Sequence, residues 1–85
     1  MNWSVTVARE AVRNLLRFPN RDHQRLTQAL EEMRTDPFAG DVVRLRAQPA
    51  AYRRRVGSYR ILFDVVPESR RVSVQNIVRR SSTTY

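Results

Sequence analysis

Tyr52-Arg-Arg-Arg-Val-Gly-Ser-Tyr-Arg-Ile-Leu-Phe63 is the stretch that decides how this chain folds. Two short runs of apolar and basic residues meet at Gly57-Ser58, a pair suited to the tight turn of a β-hairpin. Side chains along a strand alternate between its two faces. In the second run Tyr59, Ile61, Phe63 and Val65 therefore share one face, and Arg60, Leu62, Asp64 and Val66 the other. In the first run Arg53 and Arg55 share a face, and Arg54 takes the opposite one. So much positive charge on paired strands is unfavourable unless solvent reaches each group or an anion sits between them. The stretch is thus either a solvated hairpin whose charge resists aggregation or a surface built for an anion.

Working outward, Pro67 to Arg70 makes the next turn, and Arg71 to Val78 reads as a last strand. Strict alternation sets Val72, Val74, Asn76 and Val78 opposite Ser73, Gln75 and Ile77. Upstream, Gln48-Pro49-Ala50 is a loop, Asp41 to Arg46 suggests a short strand through Val43 and Leu45, and Asp36 to Gly40 is a turn. The spacing predicts a helix over 8–18, with Ala8, Ala11, Val12, Leu15 and Phe18 inward and Arg9, Arg13 and Arg17 outward on a solvated stripe. Pro19-Asn20 breaks it, and Asn20 is placed to cap a second helix from Arg21 to about Thr35. Leu26, Ala29, Leu30 and Met33 form its buried side, and His23 reads as a plain surface residue. Asn2 to Val7 alternates as a first strand, with Trp3, Val5 and Val7 on one face. The order predicts one α+β domain over 1–85. An N-terminal strand leads to an antiparallel helical hairpin and then a three-stranded antiparallel meander, with the helices on one face of the sheet.

Composition narrows the function. The 85 residues sit near the lower limit for an unaided hydrophobic core. No run approaches the roughly 18 apolar residues of a membrane span, and no signal-peptide pattern opens the chain. A cytoplasmic protein without membrane partners is expected. With no Cys and one His, thiolate chemistry, a histidine metal site and a Ser-His triad all recede, and no metal or cofactor is expected. The formal charge is +8, and all of it belongs to residues 44–85: residues 1–43 carry six Arg against six acids. Every basic residue is Arg, whose planar guanidinium suits phosphate and keeps its protons. A basic surface on one half points to nucleic acid, or to an acidic protein that covers it.

The pattern aromatic-Arg-x-Arg-Val-Gly-x-Tyr-Arg-hydrophobic-hydrophobic-aromatic over Tyr52 to Phe63 resembles the RelE/ParE superfamily of toxins from type II toxin–antitoxin pairs. Asp36-Pro37-Phe38 before the hairpin, the Val72-x-Val74 strand, Arg79-Arg80 and the C-terminal Tyr85 agree with it. RelE-like toxins are metal-independent endoribonucleases, most of which cut mRNA in the ribosomal A site, whereas ParE-like toxins act on DNA gyrase. The hairpin is common to both branches. The resemblance to the RelE-like branch implies an active site of Arg53, Arg55, Arg60, Arg80 and Tyr85, with Arg44, Arg46, Arg54 and Arg79 as further RNA contacts. Counting back from Tyr85 would select Arg79 instead of Arg80. The resemblance also implies an acidic antitoxin as partner, and mRNA on the ribosome as substrate. A gyrase inhibitor without enzymatic activity is the alternative.

Such residues suit RNA cleavage. RNA brings its own nucleophile, the 2′-OH, next to the scissile phosphate, so the protein must align it and stabilise the charged transition state. Guanidinium groups do the second task but are poor bases. A phenol, ordinarily titrating near about 10, would be lowered by neighbouring arginines; it would also stack on a base.

Overall fold

The computed structural model describes residues 2–80. Strand β1 (Ser4–Val7) leads into helices α1 (Arg9–Arg17) and α2 (Asn20–Met33). Strands β2 (Asp41–Arg44), β3 (Tyr52–Val56), β4 (Tyr59–Val66) and β5 (Arg71–Arg79) follow, with a short 3-10 turn (Pro67–Ser69) before β5. They form one five-stranded sheet in the order β1-β5-β4-β3-β2. The expected α+β architecture is borne out. The suggested strand over 41–46 is real but ends at Arg44, and β1 joins the sheet parallel to β5.

The β3–β4 hairpin closes on the pair Val56↔Tyr59, leaving Gly57-Ser58 as a two-residue turn. Gly57 has φ +58, and Ser58 does not share that sign, as a type II′ turn requires. Alternation then works as read. Tyr59, Ile61 and Phe63 are buried, while Arg60, Leu62 and Asp64 between them are only half-buried.

Strict alternation fails in β5. Leu62 pairs with Asn76 but Phe63 pairs with Val74, so Gln75 is an extra residue in a β-bulge. The bulge inverts the expected facing beyond it: Ile77, and not Asn76 or Val78, joins Val72 and Val74 in the core.

The core is the meeting of Ala11, Leu26, Ala29 and Met33 from the helices with Tyr59, Ile61, Phe63, Val72, Val74 and Ile77 from the sheet. Helix α1 differs from expectation: Val12 is exposed, and Asn14 turns toward β5. The reason lies in the short β1, which pairs only with residues 71–74 and leaves the rest of that β5 edge without a strand. Asn14 Nδ2 donates to the Ile77 carbonyl (3.2 Å) and to Asn76 Oδ1 (2.8 Å), satisfying polar groups where a strand would have done so. Pro19, and not Asn20, is the N-cap of α2; no side chain caps it, and the Pro19 carbonyl accepts from His23 N at 2.8 Å. His23 is half-buried.

Two polar pins tie α2 to the sheet. The Tyr59 hydroxyl donates to Asp22 Oδ2 (2.7 Å), and its ring packs on Phe18 with centroids 4.5 Å apart. Arg54, only 8% exposed, donates to the Ala29 carbonyl (3.1 Å) and pairs with the Glu32 carboxylate. Gly40 lies against this guanidinium: a Cβ there would stand 2.8 Å from Arg54 Nε, and its φ of +81 further disfavours a side chain.

These pins make two expectations. Arg54→Ala should lower unfolding free energy by about 2–3 kcal/mol, the loss of buried charge-assisted hydrogen bonds. Arg53→Ala, on the opposite face and joined to Asp41 only at 3.9 Å, should cost less. Urea titration of both separates them, and equal stability would mean that the register is wrong. Burial first, then the hydrogen bond to Asp22 and that residue's charge, raise the Tyr59 phenol above its ordinary 10.0, against smaller opposite effects of Arg79 and Arg25. The folded protein then holds its proton where the unfolded chain releases it. This contribution should be complete below pH 10.0 and lost as pH rises through the raised folded value. Thermal melts from pH 9 to about 11.5 should show that decline for the parent, and a shallower one for Tyr59→Phe.

Candidate nucleic-acid interface

Antiparallel pairing sets cross-strand partners side by side on one face. Arg55 is the direct partner of Arg60, and Arg53 is the partner of Leu62, two residues along. All three guanidinium-bearing residues therefore belong to the face of the sheet turned away from the helices. The expected grouping of Arg53, Arg55 and Arg60 is present. Arg53 is largely buried, with its side chain 16% exposed, and its Nε has no hydrogen-bond partner among the described residues. Arg60 is half-buried and Arg55 exposed.

Among the described residues one carboxylate pairs with Arg53 and Arg55. Asp41 of β2 is the cross-strand partner of Arg55 on its other side. Its Oδ2 accepts from Arg55 Nε at 2.9 Å and lies 2.9 Å from Arg55 Nη2, and its Oδ1 is 3.9 Å from Arg53 Nη2. Across the sheet this gives the row Asp41, Arg55, Arg60, Val78. Asp41 was not among the expected site residues. Its place follows only once β2 is paired with β3, which the sequence signals weakly through Val43.

The remaining candidates separate. Arg54, expected as an RNA contact, is not brought to this group: it points to the helices, donating to the Ala29 carbonyl and pairing with Glu32. Its partner Glu32 lies 22 residues away in sequence, so nothing local marks the pairing. Arg79 pairs with Tyr59 and so takes the helix-side face, its guanidinium 5.8 Å from that ring's centroid. Arg44, partner of Tyr52, shares that helix-side face at the sheet's edge, and Arg46 lies in the loop beyond it. None of these three is brought to the Arg53/Arg55/Arg60 group. Arg80 follows the end of β5, its backbone N–H donating to the Ser58 carbonyl at the hairpin turn (2.7 Å), which sets it beside that end of the group. Tyr85 lies outside the described residues.

The arrangement offers three guanidinium groups on one hairpin, with the Asp41 carboxylate at its border. Chemically it can hold a phosphate and stabilise added negative charge on it. Among the described residues no group of three or more His, Cys, Asp or Glu side chains is arranged to hold a metal. Nor is any helix there long and apolar enough to cross a membrane.

No family model matches the chain. It is 24% identical over 83 residues to the candidate toxin RelE1 of Methanocaldococcus jannaschii, across 94% of this chain and 92% of that one. In structure it matches a chain of the archaeal RelE–RelB complex from Pyrococcus horikoshii with a TM-score of 0.85 at 20% identity, covering 98% of this chain and 100% of that one. The isolated Escherichia coli RelE toxin matches with a TM-score of 0.78 at 18% identity, over 96% of this chain and 88% of that one. The resemblance carried by Tyr52 to Phe63 thus extends over almost the whole chain, and the protein is RelE-like in fold.

Proposed function

We propose that this protein is the toxin of a type II toxin–antitoxin pair, an endoribonuclease that cleaves mRNA at the ribosomal A site without a metal. The observation that carries the reading is the Arg55↔Arg60 pair with Arg53 beside it. Like charges directly opposite one another are unfavourable, and a phosphate between them turns that cost into binding. The likeness to RelE toxins in fold and along the sequence favours the RNA-cleaving branch over the gyrase-directed one.

In this mechanism Arg53, Arg55 and Arg60 hold the scissile phosphate. The 2′-oxygen attacks phosphorus as its proton leaves, the bond to the 5′-oxygen breaks, and that oxygen takes up a proton, giving a 2′,3′-cyclic phosphate and a 5′-hydroxyl. The guanidinium groups stabilise the extra negative charge of the pentacoordinate transition state, where preorganised donors act most strongly. Arg80 supplies a further cation from the end of β5, and Tyr85 exchanges a proton with an attacking or leaving oxygen or stacks on a base. None of the arginines is an efficient base. The ribosome therefore contributes much of the alignment, an entropic task that positioning performs well. Phosphate must displace Asp41 from Arg55, an exposed pair that is worth little. An acidic antitoxin segment would silence the site by covering the same cations.

Cleavage of a translated message by purified ribosomes and toxin, read by primer extension, tests the reading. Arg60→Ala should lower the rate by roughly 100–1000-fold, the usual cost of one preorganised donor. Arg60→Lys should recover only part of it, since a single ammonium does not replace a fork of donors. Full activity in a folded Arg60→Ala would remove that residue from the site. Tyr85→Ala should lose at least about tenfold, with Tyr85→Phe intermediate or equal to it. An intact message alongside inhibited gyrase supercoiling would move the protein to the other branch.

A further inference from the structure

Leu62 lies two residues beyond Arg60 on the same face of β4 and directly beside Arg53. It lines a cavity of ≈ 220 Å³. From β5 come Gln75 and Asn76, and from the loop after β2 come Leu45, Pro49 and Ala50. Glu10 of α1 and Gln48 complete the lining. We infer that this cavity takes one unstacked nucleobase of the RNA whose phosphate the arginines hold, and that it favours a base bearing an exocyclic amino group. The inference rests on the ribonuclease reading and adds to it the place where sequence is read.

Three features show that the cavity is a built one. The bulge at Gln75 sits at it, and bulges re-aim side chains beside functional sites. The loop is fastened at its neck: Leu45 N donates to the Ala51 carbonyl (2.8 Å), and Ala51 N donates to Asp64 Oδ1 (2.7 Å). Asp64 also accepts from Gln75 Nε2, so one carboxylate fixes both sides. At the loop's centre Ala47 adopts φ +54, a left-handed conformation that costs a non-glycine residue energy and gathers at binding sites.

The chemistry fits a base. Leu45, Pro49, Ala50 and Leu62 offer apolar surface to its faces; the Gln48 amide offers a donor and an acceptor to its edges, and the Gln75 amide, its nitrogen committed to Asp64 and the Pro49 carbonyl, offers its oxygen. Glu10 forms no ion pair among the described residues, although the chain has 16 arginines. A carboxylate accepts from an amino group such as cytosine N4 and has nothing to accept from the uracil carbonyl at the same position. Arg53, between the cavity and the Arg55/Arg60 pair, would hold the phosphate joining the read nucleotide to the cut one.

Mapping 5′ ends of cellular transcripts after induction tests this. The parent should favour an amino-bearing base at one fixed offset from its cuts. Glu10→Gln, which adds a donor, should raise the uracil-to-cytosine ratio there by at least about fivefold, the smaller end of one base-edge contact. Gln48→Trp, filling the cavity from the exposed loop, should flatten the bias, and Glu68→Gln in the 3-10 turn should keep it. A bias unchanged by both cavity variants, or no bias in the parent, would overturn the inference while leaving ribonuclease activity standing. No transcript cuts by the parent would overturn both together.

Discussion

The register of the β3–β4 hairpin is the constraint on which the rest of this protein depends. With a side-chain period of two, a slip of one residue would send Arg53 and Arg55 into the core and Arg54 out of it. Two things hold the register. The Gly57-Ser58 turn fixes the pairing from one end, with the positive φ that glycine adopts without penalty. Arg54 fixes it from within, its guanidinium taken by the Ala29 carbonyl and Glu32 on α2 and roofed by Gly40. A buried charge left alone would be costly, so the pairing with α2 selects the one register that satisfies it.

The outcome for function is a division of labour among adjacent arginines. Arg54 spends its hydrogen bonds on architecture, whereas its neighbours Arg53 and Arg55 meet Arg60 on the other face. The fold itself thus gathers positive charge on one face of the sheet. Asp41 relieves part of it, from the edge and mainly for Arg55. Asp41 holds the Arg55 guanidinium at the edge of the group until a phosphate takes its place.

Much of this was legible in the sequence because it is local. The turn pair and the alternation of residues 52–66 specify the hairpin, its two faces and the exceptional position of Arg54. The helical spacing of Leu26, Ala29, Leu30 and Met33 specifies which side of α2 meets it. What escaped depends on partners distant along the chain. The bulge at Gln75 exists only relative to β4, and it overturned the facing of Asn76, Ile77 and Val78. The inward turn of Asn14 answers an edge of β5 that β1 is too short to cover. Arg54 was read as an RNA contact because nothing near it in sequence shows Glu32 beside it. Asp41 was missed for the same reason, since its neighbour Arg55 is reached only through sheet pairing.

The central claim is that one face of a rigid hairpin binds RNA phosphate through Arg53, Arg55 and Arg60. The salt dependence of binding to a non-cleavable single-stranded RNA measures it directly. Each phosphate neutralised adds about 0.7 to the slope of log affinity against log salt, so a group that holds one phosphate, or that one and its neighbour, gives a slope of about −0.7 to −1.4. Alanine at 53, 55 or 60 should each make the slope shallower. A slope near zero for the parent, or one that none of the three substitutions changes, would contradict the account.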